Sequence, residues 1–259
     1  MSEVVAITSR DNPLLLRIRK LMRSSGGYRK LGSVWLEGAH LCQALRARGL
    51  PAAQALVTES AMKNGGTREL ASWAARIGVL PDALFATISG LESPAGIGFL
   101  IDAPDPPAVR PGVPSVVLDR VQDAGNVGSI LRSASALGFA QVLALEGSAA
   151  LWSPKVLRAG MGAHFGLALV EGLVPADIDV LDLPMLAGSS HAESSLDKAA
   201  LPFPCVWVFG HEGQGVAPAL LARCAQQLRI PQPGGEESLN VAAAAAICLY
   251  ATRQRGGWM

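Results

Sequence analysis

Aromatic residues are scarce in this chain, at 5% of 259 residues with only two tyrosines. The interior must therefore be filled by Ala, Val and Leu, and with half of the residues apolar the chain is long enough to bury such a core. Cysteine is equally sparse. Cys42, Cys205, Cys224 and Cys248 show no C-x-x-C spacing and each lies in an apolar segment, which points to buried reduced thiols rather than disulfides or zinc ligands. The four histidines, His40, His164, His191 and His211, have no metal-ligand spacing either, so no metal is expected. No apolar run reaches the roughly 18 residues needed to cross a bilayer, and the polar N-terminus lacks the apolar stretch of a secretory leader; a cytoplasmic protein is expected. A net charge of +1 gives no global attraction to nucleic acid. Finally, no G-x-G-x-x-G follows the first strand of the C-terminal half, which argues against a dinucleotide-dependent oxidoreductase.

The charge that is present is unevenly placed. Arg10, Arg17, Arg19, Lys20, Arg23, Arg29 and Lys30 crowd the first thirty residues against only Glu3 and Asp11. Such a local basic surface can hold a phosphate backbone even in a near-neutral chain; the alternative is an ordinary solvated helix face behind an apolar stripe of Leu14, Leu15, Ile18, Leu21 and Met22. Asp102 to Pro114 is a proline-rich bridge that neither a helix nor a central strand can continue through. It divides the chain into residues 1–103, a linker at 104–113, and residues 114–259.

Before the bridge, the pattern predicts helix 13–24, strand 33–37, helix 39–48, strand 55–58, helix 67–77, strand 84–86 and strand 98–101, a small α/β domain. Beyond it, strands are expected at 115–121, 141–144, 166–170, 184–187, 205–209 and 227–230. Helices fall at 127–137, 154–159, 217–224 and 239–253. Alternation of this kind reads as a parallel α/β sheet.

Three segments carry chemistry. Ile230-Pro231-Gln232-Pro233-Gly234-Gly235-Glu236-Glu237-Ser238-Leu239-Asn240-Val241 runs from a strand end into an alanine-rich helix, where free N–H groups and the helix dipole favour a small-molecule site. The plainer reading is a helix start capped by Ser238. Leu118 to Ala134 breaks at Gly125-Asn126 and resumes as a helix; Asn126 and Arg132, six apart, converge only if Asn126 sits on the preceding loop. Val206 to Val216 is a buried-type strand ending in three glycines around Glu212, where the backbone can approach a ligand closely.

In this order, the three segments resemble the SpoU (TrmH-like) RNA 2′-O-methyltransferases of the SPOUT superfamily. The pattern N-x-G-x-x-x-R matches Asn126, Gly128 and Arg132; F-G-x-E-G-x-G matches Phe209, Gly210, Glu212, Gly213 and Gly215. The third pattern matches Ile230, Pro231, Glu237, Ser238, Leu239, Asn240, Val241 and Ala242. Two departures are visible: Ala124 where proline is common before Gly-Asn, and Gly160 where serine is common. The resemblance implies an α/β fold whose C-terminal parallel-sheet domain carries a trefoil knot, joined to a small ribosomal-protein-like substrate-binding domain. It also implies S-adenosylmethionine as cofactor, methyl transfer to a ribose 2′-hydroxyl, and a homodimer.

On that resemblance the catalytic candidates are Asn126, Arg132, Glu212, Ser238 and Asn240, with Glu212 pairing with Arg132 or with substrate. The cofactor pocket is expected from Leu186, Ala187, Gly188, Ser189, Phe209, Gly210, Glu212, Gly213, Ile230, Pro231, Ser238 and Leu239, with Ile230 and Leu239 sandwiching the adenine. Arg10, Arg17, Lys20, Arg23, Lys155 and Arg158 are the candidate RNA contacts. Large-subunit ribosomal RNA is the expected target, with transfer RNA, or a non-catalytic RNA-binding protein of the same fold, as alternatives.

Overall fold

The computed structural model describes residues 3–234 and 238–256. The chain forms two compact units: Trp152–Phe165 groups with residues 3–105, and the remainder with residues 106–151.

In the first unit the elements are β1 (Glu3–Ala6), α1 (Pro13–Arg23), α2 (Gly27–Leu31), β2 (Ser33–Glu37), α3 (Ala39–Ala47), β3 (Ala52–Thr58), α4 (Gly65–Ala71), β4 (Ala74–Leu80), α5 (Asp82–Ala86) and β5 (Ile97–Asp102). The five strands form one mixed sheet in the order β1-β4-β3-β5-β2. Helix α1 begins where Asn12 Oδ1 accepts the Leu14 N–H at 2.9 Å, with Pro13 in the first turn. It buries Leu15, Ile18 and Leu21, so the expected apolar stripe is real and Lys20 and Arg23 face solvent.

Three expectations in this unit are corrected. The helix foreseen at 67–77 stops at Ala71, and Ala74–Leu80 is a strand parallel to β3 and β1. Alanine and arginine bias that stretch toward helix, but Gly78 fits only a strand beneath Leu56 and Ile7, whose side chains stand 2.6 and 2.7 Å from where a Cβ would lie. Residues 84–86 are helical, because the Pro81 carbonyl accepts the N–H groups of Leu84 and Phe85 and closes a turn. The polar N-terminal stretch contributes β1, an edge strand that sequence patterning missed.

The second unit contains β6 (Ser115–Asp119), α6 (Ala124–Ala136) and β7 (Gln141–Leu145). After α7 (Pro154–Gly160), which belongs to the first unit, it continues with β8 (Ala168–Leu173), β9 (Met185–Gly188), β10 (Ser194–Ser195), β11 (Val206–Gly210), α8 (Pro218–Leu221), β12 (Gln226–Arg229) and α9 (Val241–Gly256). Its seven strands run in the order β10-β12-β9-β11-β6-β7-β8, and every pairing is parallel, as the alternating pattern required. One row of paired residues crosses the sheet: Ala187, Val208, Val117, Leu143 and Val170, all buried. Both faces of such a sheet must be covered, which is why these strands read as continuous Val and Leu runs.

Helix α9 is anchored to the sheet by a buried relay. Trp207 Nε1 donates to Thr252 Oγ1 at 2.9 Å, and Thr252 Oγ1 donates to the Cys248 carbonyl, also at 2.9 Å. Trp207 is fully buried, so its truncation to alanine would cost about 3–5 kcal/mol.

All four cysteines are free. Burial pushes the Cys205 and Cys248 thiols up to about 12 and the Cys224 thiol up to about 11. Among the described residues no helix is long and apolar enough to cross a membrane.

Both departures from the family pattern have local explanations. Ala124 takes the first helical position of α6, where proline is favoured but not required. At Gly160 a Cβ would lie 2.4 Å from the His164 ring, so glycine makes room for that buried imidazole, which packs 5.2 Å from the Trp152 ring.

Candidate active site

Three adjacent strands, β12, β9 and β11, end side by side, and the chain emerging from each bounds one cavity of about 250 Å³. The crevice at the carboxyl ends of parallel strands is where open α/β sheets bind ligands. Of the expected pocket residues, Gly188, Ser189, Phe209, Gly210, Glu212, Ile230, Ser238 and Leu239 line it. Four expected residues do not. Leu186 and Ala187 are completely buried within β9, Gly213 lies in the exposed turn after β11, and Pro231 is exposed. His211, within the strand end 209–212, also borders the cavity, as do residues not anticipated for this role, among them Gln232, Ala244 and Cys248. The strand-end placement of Gln232 was visible in the sequence; Ala244 and Cys248, one turn apart on α9, present one face of that helix to the cavity.

A hydrogen-bonded chain connects all three motif segments. Glu212 Oε1 accepts from Asn126 Nδ2 at 3.0 Å, and Asn126 Oδ1 accepts from Asn240 Nδ2 at 2.9 Å. Asn240 Oδ1 in turn accepts the N–H groups of Ala242 and Ala243, at 2.9 and 3.3 Å. Asn240 is therefore the cap of α9, a role expected of Ser238. Asn126 is not on a loop either: it sits in the first turn of α6, its N–H donated to Asp123 Oδ1 at 2.8 Å. Both ends of its amide are engaged, so Asn126 is fixed in orientation. Glu237 lies outside the described residues.

Glu212 also receives the backbone N–H groups of Asp123 and Gln122, at 3.1 and 3.3 Å. Burial alone would raise its carboxyl, but the bonds from Asn126 and from backbone N–H groups outweigh that and hold it below the ordinary glutamate value. Its partners are amides, and among the described residues no bond joins it to Arg132, one of its two expected partners. Arg132 is exposed on α6.

The turn after β11 is held against the strand itself. A Cβ on Gly210 would lie 2.1 Å from the Gly215 carbonyl carbon, so only glycine fits there. His211 Nδ1 accepts the N–H groups of Gly213 and Gln214, at 3.0 and 3.3 Å, which places the neutral ring's proton on Nε2. Beside this turn, Arg120 has a φ of 59°, a left-handed conformation costing a non-glycine residue about 1–2 kcal/mol.

The RNA candidates belong to the first unit. Arg17 is committed internally, donating to the Leu31 carbonyl and to Ser33 Oγ, and Arg158 is half-buried near Gly90 and Met22. Arg10, Lys20, Arg23 and Lys155 are exposed.

The donor set fits a nucleoside carrying a positive centre. The cavity offers apolar walls from Phe209, Leu228, Ile230 and Leu239, hydroxyls from Ser189 and Ser238, and the ionised Glu212. Gln232, also on its wall, has a buried Oε1 with no hydrogen-bond partner among the described residues.

A parallel α/β sheet whose strand-end cavity is wired through these three segments is the architecture of a SpoU-type methylase. The sequence pattern of the SpoU rRNA Methylase family matches residues 114–250, more than half of the chain, and the chain belongs to that family. Over 277 aligned residues it is 30% identical to an uncharacterized tRNA/rRNA methyltransferase of Synechocystis sp., covering 98% of this chain and 95% of that one. It is 31% identical to the Bacillus subtilis 23S rRNA (guanosine(2553)-2′-O)-methyltransferase RlmP, across 68% of this chain and 71% of the relative. The same fold occurs in the SpoU methyltransferase AviRb from Streptomyces viridochromogenes, solved with the cofactor AdoMet. There the TM-score is 0.84 at 23% identity, covering 94% of this chain and 98% of that one.

Proposed function

We propose that this S-adenosylmethionine-dependent RNA 2′-O-methyltransferase modifies large-subunit ribosomal RNA, acting in the cytoplasm as a homodimer. The observation that carries the reading is the Glu212–Asn126–Asn240 chain, which joins all three motif segments at the wall of one cavity. The 23S rRNA specificity of the Bacillus relative supports the choice of RNA.

The cofactor supplies a methyl group on a sulfonium, already a strong electrophile, so the protein's task is alignment and charge. Ile230 and Leu239 would hold the adenine ring, and the Gln232 amide would meet a polar edge. Glu212, kept ionised by its donors, balances positive charge in the cavity. A guanidinium stays protonated at ordinary pH, so Arg132 is no proton acceptor. It would grip the target phosphate and stabilise negative charge developing on the 2′-oxygen as the hydroxyl passes its proton to solvent water. Asn126 and Asn240 fix the two helix starts between which the ribose sits, and Ser238 contacts the nucleotide. In this reading the C-terminal unit carries the trefoil knot of its family, and Lys20, Arg23, Arg10 and Lys155 hold the RNA backbone.

Ribose methylation mapped in total RNA from cells with and without the gene tests the reading. One large-subunit position should lose its methyl group, regain it with the wild-type gene, and stay unmodified with Arg132→Ala, whose cofactor affinity remains within a few-fold of wild type. Loss of a transfer-RNA mark instead would reassign the target. Unchanged modification everywhere would leave the non-catalytic alternative.

A further inference from the structure

Asp119 and Arg120 lie at the end of β6 and are tied to both sides of the turn that follows β11. The buried Asp119 carboxylate accepts from Arg120 Nε at 2.9 Å and Nη2 at 3.1 Å, and also takes the Ala217 N–H at 2.6 Å. The remaining arm, Arg120 Nη1, donates to Gln214 Oε1 at 3.0 Å. Gln214 is connected to the cavity wall at its other end, since its N–H is one of the two that orient the His211 ring. Between Gln214 and Ala217 lies Gly215, which bridges to His211 and presses on Gly210.

Nothing in ordinary packing asks for arginine at position 120. Its backbone is in the left-handed region that glycine occupies without penalty. Its stem is accommodated because position 147 is glycine: a Cβ there would lie 3.0 Å from Arg120 Cγ. Arg120 is one-third exposed while its partner carboxylate is buried, so the guanidinium serves to keep Asp119 paired where it holds the Ala217 N–H. A strained residue with one nitrogen on Gln214, and the other two on the carboxylate that takes the Ala217 N–H, is accounted for by what the turn does.

We propose that Arg120, seated on Asp119, is a positioning residue that fixes the Gln214–His211 side of the turn and so sets the shape of the cofactor cavity. The inference rests on reading that cavity as the S-adenosylmethionine site. It predicts that the bridge matters for ligand affinity more than for folding.

The test uses the full-length protein and titration calorimetry with S-adenosylmethionine, with the thermal midpoint measured alongside. Gln214→Ala should weaken binding about three- to tenfold, the worth of one hydrogen bond, while the midpoint stays near that of wild type. Gln214→Glu keeps an acceptor for the same guanidinium and should restore affinity to within about twofold. Arg120→Gly, which relieves the backbone but deletes the bridge, should bind at least as weakly as Gln214→Ala. Should Arg120→Gly fail to fold, the two Gln214 variants decide alone. Wild-type affinity in Gln214→Ala, or no rescue by Gln214→Glu, overturns the proposal while leaving the cofactor site standing. No binding by the wild-type protein removes the cofactor reading and this inference with it.

Discussion

On the proposed function the cavity takes a positively charged ligand and the carboxylate beside it has to stay ionised; Glu212 is held ionised by donors rather than by a cationic partner. Asn126 Nδ2 and the N–H groups of Asp123 and Gln122 all point at it. An arginine in their place would compete with the ligand for the same charge; amides leave that charge available. The sign of the pH dependence follows. The folded-state value lies below the ordinary 4.5, so the stabilisation from these bonds is fully present above about pH 4.5 and is lost as pH falls through the lowered value. Thermal midpoints of wild type and Glu212→Gln, followed from neutral pH down to about pH 3, should differ by a constant amount above pH 4.5 and converge below it. A gap that stays constant to the acid end would show that the carboxylate charge contributes nothing through these donors.

Helix α1 is where local sequence and surface chemistry agree most closely. Asn12 and Pro13 start it, Leu15, Ile18 and Leu21 bury one side, and Lys20 and Arg23 occupy the exposed last turn. Replacing both basic residues by glutamate should weaken RNA binding at least tenfold at low salt and lower the slope of log affinity against log salt by about two, one per lost phosphate contact. An unchanged slope in a filter-binding titration would move the RNA face elsewhere. Elements like this one were legible because cap, periodicity and burial coincide. Where the signals conflicted, legibility failed: Ala74–Leu80 carries helix-favouring residues yet completes a sheet, and Leu84-Phe85 is too short an apolar pair for its period to distinguish strand from helix. At the site, the motif loops located the cavity, but their wiring was hidden. Whether Ser238 or Asn240 caps α9, and whether Glu212 meets Arg132 or Asn126, depends on sub-ångström placement of loops from distant parts of the chain. Leu186 and Ala187 belong to the same strand end as Gly188, yet β9 carries them into the core before the cavity opens.

At the scale of the whole molecule, α9 poses a question that one chain does not answer. Ala245, Cys248 and Leu249 pack inward, while Ile247 and Tyr250 on the opposite side are 41% and 51% exposed, and Leu239 just before the helix is 39% exposed. A helix apolar all round belongs in an interior, and Ala243 and Ala246 on this outer side are small enough to let a second helix approach closely. A homodimer formed through this face would supply the missing cover, burying roughly 800 Å² on each partner if it is of standard size. Light scattering at micromolar concentration should give twice the mass of the 26.9 kDa chain, and Ile247→Asp should return a folded monomer, because an unpaired carboxylate at the centre of an apolar contact costs several kcal/mol. A wild-type monomer under those conditions would mean that the exposed side of α9 stays in water, and that each catalytic site must be complete within a single chain.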